Sequence, residues 1–525
     1  MFKLGRKKPV DGEQVAQANA ENGRPIDQKP FWQAIWPVLA CGAGLFSDGY
    51  INNVIGSVST TLGYEYGDLY TNSTAKKNVS AIAFAGTVVG QLIFGVLADR
   101  WSRTGSLLTS TVILIVFTAL AAGSYWHGDP VGMFGMLTAW RFFVGIGIGG
   151  ESLHCAHLLL APTNNVLGEY PAGSVSCAES SGELKSGTRN RWFILFTNTM
   201  IDWGFVIGAF VPYVVAAAAS NVYYGTIWRT SLGIGVVFPL VLFVLRLRLK
   251  EPEEFSRNSM KNTKTPYSLV FKYYGFRLFI VSLIWFIYDF SVYAFGIYSS
   301  PMLASIYSDD APLTTIFGWN TVINLFYIPG TIIGAFVSDR YGPRLTLVGG
   351  VILQAIVGFI MAGCYSKLAQ AQYVGAFAVV YGVFLSLGEL GPGNNIGLLA
   401  AKTCATGVRG QYYGIAAAVG KIGAFVGTYV FPYIIAAGGD DETKQYQYPF
   451  YVAACLCILS ASLALFFLPH IDQDTITKED IEFRAYLESK GWDTRQLGLK
   501  SGETVDSEQG EAVAVGKEGV LEGKA

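Results

Sequence analysis

Twelve stretches of about 20 largely apolar residues recur along the chain, and each matches the length of helix needed to cross a hydrocarbon core about 30 Å thick. They begin near Trp36, Val79, Gly105, Gly132, Trp192, Ile227, Phe276, Thr315, Leu345, Tyr373, Gly410 and Phe450. Lipid supplies no hydrogen-bond partners for a backbone, so segments of this length must pair their own N–H and C=O groups as helices. The expected fold class is therefore an all-α polytopic membrane protein with twelve transmembrane helices. Charge supports this: only 14% of the 525 residues are charged, where soluble domains carry about a quarter. The net charge of -1 excludes an overall basic nucleic-acid binder. The seven cysteines lack zinc-site spacing and read as small buried apolar residues, with no metal and no cofactor implied.

Basic residues outside the apolar runs orient the chain. They gather before Phe31, in the link from Asp99 to Arg103, between Lys185 and Arg191, and between Arg246 and Arg277. The positive-inside rule puts all four in the cytoplasm, with both termini on that side of the plasma membrane. The stretch from Tyr64 to Ser80 then faces outward, and it contains two glycosylation sequons, at Asn72 and Asn78. The first thirty residues contain no apolar run that would act as a cleaved signal.

The two halves repeat each other. "GQLIFGVLADRWSR" (90–103) and "PGTIIGAFVSDRYGPR" (329–344) each end a glycine-spaced helix with Asp-Arg, an aromatic residue and another Arg. Such repetition points to a transporter built from two related six-helix bundles. The expected division is a cytoplasmic tail (1–30), a first bundle (31–249), a linker (250–274), a second bundle (275–469) and an acidic tail (470–525). That last tail is read as irregular beyond a short helix near Ile476 to Lys490. Asp99 with Arg100, and Asp339 with Arg340, are candidate gating latches, each acid pairing with a neighbouring arginine.

Ionisable side chains inside apolar runs are functional candidates by default, because lipid disfavours them. They are Asp48, Arg141, Glu151, Asp202, Asp289, Glu389 and Lys421. Acids with a cation supply both parts of a proton-coupled anion carrier: a carboxylate to titrate and a positive charge to hold the anion. Trp285, Asp289 and Tyr293 follow i, i+4, i+8 spacing, which puts them on one helix face.

"GIGIGGE" with "YPAGSV", the Trp-Asp-Tyr stripe, "GELGPGNN" (388–395) and "GIAAAVGKIGA" (414–424) resemble the phosphate:proton symporter branch of the major facilitator superfamily. The join of "GGE" to "EYPAGSV" narrows the resemblance to fungal glycerophosphoinositol and glycerophosphodiester permeases. The resemblance implies that Asp48 and the acid before Tyr170, either Glu151 or Glu169, are proton-coupling carboxylates, and Asp289 joins them. It also implies that Tyr170, Trp285, Asp289, Tyr293 and Asn394 surround the bound phosphate, with Lys421 and Arg141 as cations. One departure bears on substrate. Ile201 stands where the phosphate carriers have a glutamine, and Asp202 follows it, which favours a phosphodiester with polyol hydroxyls over inorganic phosphate.

Between the two Gly-Glu pairs lies an interruption. Removing Ser152 to Glu169 joins Glu151 to Tyr170 and restores the family pattern, whereas Arg141 to Glu151 alone is too short to cross a membrane. The eighteen residues of 152–169 correspond to 54 nucleotides, in frame, and are read as an unspliced intron carried into the coding sequence. The alternatives are a genuine insertion and a helix that continues through "SLHCAHLLLAP".

The function expected is proton-coupled uptake of a glycerophosphodiester such as glycerophosphoinositol. Its partners are a small anionic substrate, protons and the lipid bilayer, with oligomeric state left open. A carrier of inorganic phosphate or another organic anion, including an exporter, is the first alternative, and a transporter-like nutrient sensor the second. No nucleophile-base pair in the spans suggests an enzyme.

Overall fold

The computed structural model describes residues 31–100, 103–154, 189–246, 265–307, 311–405, 408–471, 475–494, 503–505 and 512–514. Helices occupy all twelve expected positions. The first span is α1 (Phe31–Tyr66), followed by the short α2 (Asp68–Thr71). Spans two to four are α3 (Thr74–Arg100), α4 (Arg103–Ala122) and α5 (Pro130–His154). The fifth is broken into α6 (Arg189–Phe196) and α7 (Asn198–Ala218), the sixth into α8 (Tyr224–Ile234) and α9 (Val237–Arg246). The seventh is α10 (Tyr267–Ile306), and the eighth comprises α11 (Leu313–Leu325) and α12 (Tyr327–Tyr341). The ninth is α13 (Pro343–Leu368); the tenth joins α14 (Val374–Gly388) through a π turn at Glu389–Gly393 to α15 (Asn394–Lys402). The last two are α16 (Arg409–Ala436) and α17 (Glu442–Phe467), and α18 (Thr475–Ser489) follows outside the bundles.

Ten of these spans are long and apolar enough to cross a membrane among the described residues, with Leu108–Ala122 a shorter apolar helix in the third. Large apolar side chains, among them Leu92, Phe210, Phe336 and Phe466, are exposed around the outside, as expected where lipid is the solvent. Cys404 and Cys457 are buried as expected, but Cys364 and Cys455 lie on this exposed surface.

Lipid offers no hydrophobic drive for helices to associate, so close backbone approach must supply the packing. The glycines provide it. A Cβ on Gly86 or Gly90 of α3 would lie 2.0 or 2.3 Å from the carbonyl oxygens of Phe142 or Ile146 on α5. The second bundle repeats the device: a Cβ on Gly423 or Gly427 of α16 would meet the Phe286 or Phe290 carbonyl of α10 at 2.3 or 2.0 Å. Between bundles, Gly56 of α1 brings the first span onto Ile297 of α10. There Thr60 Oγ1 and Ser300 Oγ share a hydrogen bond of 2.8 Å.

Three expectations need correction. The fourth span begins at Pro130, eleven residues before Arg141, and runs unbroken through Glu151 to His154. At 1.5 Å per residue its 25 residues already span about 37 Å, so the segment before the insertion is not too short. The seventh span starts at Tyr267, inside the stretch expected to be linker. In the acidic tail, Glu503–Val505 and Ala512–Ala514 pair as antiparallel strands where irregular chain was expected. The tail helix α18 docks on the second bundle, where Glu479 pairs with Arg277 at 2.8 Å and Phe483 and Leu487 pack beside Tyr274 and Tyr412.

Candidate substrate and coupling site

Asp289 is the twenty-third residue of the 40-residue α10 and Lys421 the thirteenth of the 28-residue α16, so both lie near mid-membrane. Lys421 Nζ donates to Asp289 Oδ2 at 2.9 Å and to the Tyr293 hydroxyl at 2.7 Å, and sits 4.1 Å from the Tyr293 ring centroid. The paired side chains are 3% and 8% exposed. An ammonium has three donors, and among the described residues the third has no partner. Phe84 of α3 and Phe205 of α7 stand edge-on to Tyr293, with centroids at 4.8 and 6.2 Å. The ion pair of the second bundle is therefore covered by aromatic rings of the first. Burying such a pair is costly unless its remaining donors and acceptors are used.

Trp285, one turn before Asp289 on the same helix face, turns its indole N–H toward that carboxylate. Its ring stands edge-on to Tyr413 at 5.3 Å, and a Cβ at Gly420 would lie 2.5 Å from its Cδ1. It packs α10 against α16 beneath the ion pair.

A second polar junction joins the bundles where two spans break. At Thr197 the fifth span leaves helical geometry, and the Thr197 hydroxyl bonds back to Phe193 O at 2.7 Å. The π turn at Glu389–Gly393 interrupts the tenth span; such turns recur at functional sites. The breaks meet. Asn198 Nδ2 donates to Glu389 Oε2 at 2.7 Å and to Asn394 Oδ1 at 3.0 Å, and the Tyr288 hydroxyl donates to Glu389 Oε1 at 2.7 Å. Thr331 Oγ1 donates to Asn394 Oδ1 at 2.8 Å, and Asn394 Nδ2 to Thr331 O at 2.8 Å. Asn394, expected beside phosphate, thus spends its amide holding the junction. Asp202, one turn beyond Asn198, is fully buried; among the described residues neither carboxylate oxygen accepts a hydrogen bond, although the Thr331 hydroxyl faces it. Nothing in the sequence singled out Tyr288 or Thr331, because their partners come from other spans.

The remaining candidates lie elsewhere. Arg141 is buried, but its Nε donates to Val79 O at 2.9 Å, at the start of the second span, and shares no hydrogen bond with the Asp289–Lys421 pair. Asp48 is buried in α1. Asp339 pairs with Arg191 of the first bundle, not with a neighbouring arginine: Arg191 N donates to Oδ1 at 3.1 Å, and Nε lies 3.8 Å from Oδ2. Its neighbour Arg340 instead faces the Tyr341 ring, at 6.0 Å. Helix α3 includes Asp99 and Arg100, and α5 includes Glu151, but their side chains fall outside the description. Glu169 and Tyr170, with most of the insertion, also lie outside the described residues. Asn72 is exposed beyond α2, its amide donating to Asp68 Oδ1 at 3.1 Å, whereas Asn78 is half-buried in the first turns of α3.

Comparison with known proteins agrees with this architecture. The family model described as "Sugar (and other) transporter" matches residues 36–164 and 248–483. The glycerophosphodiester transporter GIT2 of Candida albicans is 49% identical over 89% of this chain and 84% of its own. The major glycerophosphoinositol permease GIT3 of the same organism is 47% identical over 89% and 84%. Among solved structures, a D-xylose-proton symporter superposes with a TM-score of 0.65 at 16% identity, over 84% of this chain and 99% of that one. With its twelve helical spans in two repeated bundles and polar sites sealed between them, the chain belongs to the sugar (and other) transporter family of the major facilitator superfamily, and is a multi-pass membrane transporter rather than an enzyme.

Proposed function

We propose that the protein imports a glycerophosphodiester, such as glycerophosphoinositol, together with a proton, across the plasma membrane by alternating access of its two bundles. The observation that carries this reading is Lys421, buried at mid-membrane between Asp289 and Tyr293 with one donor unused among the described residues. A phosphodiester oxygen fits that donor, and its charge is repelled by Asp289 unless a carboxylate nearby takes up a proton. Entry of anion and proton together thus conserves the charge of the site. Relatives named for glycerophosphodiesters, glycerophosphocholine and glycerophosphoinositol at 46–49% identity support the substrate class. Ile201 in place of an amide argues against inorganic phosphate.

In this reading both termini are cytoplasmic, and the Arg191–Asp339 pair closes the cytoplasmic end. Uptake of labelled glycerophosphoinositol into cells lacking their own permeases, with and without a protonophore, tests it. Excess inorganic phosphate is expected not to compete. Asp289→Asn is expected to abolish proton-driven uptake; full uptake by that variant removes the central claim.

A further inference from the structure

We propose that Asp202 and Glu389 form a proton-binding carboxyl pair across the bundle interface, and that the coupling proton is held there while the two bundles are closed on each other. The inference rests on the proton-coupled reading and assigns its proton to acids distinct from Asp48, Glu151, Glu169 and Asp289.

The two acids come from opposite bundles and reach one junction. Asn198 and Asp202 are four residues apart on α7, hence on one face, and Asn198 bonds Glu389 directly. Glu389 is within electrostatic reach of Asp202. The two differ in their surroundings. Each oxygen of Glu389 accepts one hydrogen bond, from Asn198 and from Tyr288, the arrangement of an ionised carboxylate. Asp202 has no exposure, and among the described residues neither of its oxygens accepts a hydrogen bond; the Thr331 hydroxyl faces it but is directed to Asn394 Oδ1. An ionised carboxylate in such surroundings is disfavoured far more than a neutral one, so the group neutralises. Two carboxyls in one dry junction therefore share a single proton, held on Asp202.

Among the described residues no cation offsets this. The eighth span contributes Tyr327 and the seventh Tyr288 toward Asp202. Beyond them Lys421 is already paired with Asp289. The first span packs on α7 through Gly49, whose Cβ would meet Ile201 O at 2.2 Å, and so brings Asp48, another acid, to the same level.

The junction also couples protonation to movement. The bonds from Asn198 to Glu389 and to Asn394, and the 3.1 Å bond between the Thr199 and Thr331 hydroxyls, all cross from one bundle to the other. Parting the bundles at this end breaks them together and admits water to both carboxyls. Asp202 then ionises, its proton passing to water on that side, and the two hydrated charges repel each other until the bundles return. That two spans break at this point fits the pattern of discontinuous helices at transporter ion sites.

Purified full-length protein in vesicles tests the assignment with labelled glycerophosphoinositol and an imposed acid-outside gradient. With two pH units, one coupled proton supports accumulation of about 100-fold, because each unit is worth a factor of ten. Wild-type accumulation unaffected by a protonophore sinks the proton-coupled reading itself. Given protonophore-sensitive wild type, Asp202→Asn and Glu389→Gln, both isosteric, are expected to lose gradient-driven accumulation relative to exchange in the same vesicles. Their exchange is expected to lose its dependence on external pH. Wild-type accumulation or an unchanged pH profile in Asp202→Asn overturns the inference while leaving the reading intact. Infrared spectra of the wild type add a test independent of variant folding: a protonated-carboxyl stretch at neutral pH is expected without substrate, and its absence overturns the proposal.

Discussion

Replacing Lys421 by methionine keeps the length of the side chain and removes its charge, leaving Asp289 in a site where that side chain is 3% exposed. Removing one partner of a buried pair costs about 3–5 kcal/mol, and the lost bond to Tyr293 adds about 1 kcal/mol. Asp289 has one escape, taking up a proton. From the ordinary aspartate range this costs about 4 kcal/mol at pH 7 and about 1.5 kcal/mol at pH 5, at 1.36 kcal/mol per pH unit. Proton uptake therefore caps the penalty, and the deficit of the variant against wild type is expected to narrow by about 2–3 kcal/mol as pH falls from 7 to 5. Lys421→Met with Asp289→Asn removes both charges, so the double variant is expected to be more stable at pH 7 than the lysine variant alone. Melting temperatures of detergent-solubilised protein, read by fluorescence-detected size exclusion across that pH range, measure this. If single and double variants melt together at pH 7, or the deficit of the single variant does not change with pH, the ion pair is not the buried, mutually dependent unit described here.

Two further outcomes are expected. Asp339→Asn weakens the link to Arg191 at one end of the bundle interface, and because the pair is partly exposed its stability cost stays below about 1 kcal/mol. The shift shows instead as faster labelling of cysteines introduced beside Arg191, and unchanged labelling would count against a latch. Sequencing the transcript across codons 140 to 180 tests the insertion. A message lacking the 54 nucleotides of codons 152–169 joins Glu151 to Tyr170, whereas a message retaining them makes the segment part of the protein.

The extent of the fold was legible because spanning a bilayer is a local requirement. Each apolar run had to form its own helix, so all twelve positions followed from composition along the chain. The Asp-Arg repeat likewise announced two related halves. The i, i+4, i+8 spacing put Asp289 and Tyr293 on one face because that geometry belongs to a single helix, and the structure brings Lys421 to both. Which distant groups meet was not legible in this way. Asn198 and Glu389 are separated by 191 positions, and their bond depends on breaks in two helices and on how glycine-lined helices pack. The Asp339 latch illustrates the same limit: sequence offered the adjacent arginine, while packing supplied Arg191 from the other bundle. The same spacing put Trp285 on the face of Asp289, and only the packing showed that its ring also fills the close approach of Gly420. The sequence by itself determined what must be buried in lipid, since burial follows from side-chain chemistry. Only the tertiary structure decided which buried charges find partners, because that choice depends on the relative position of helices that share no local sequence.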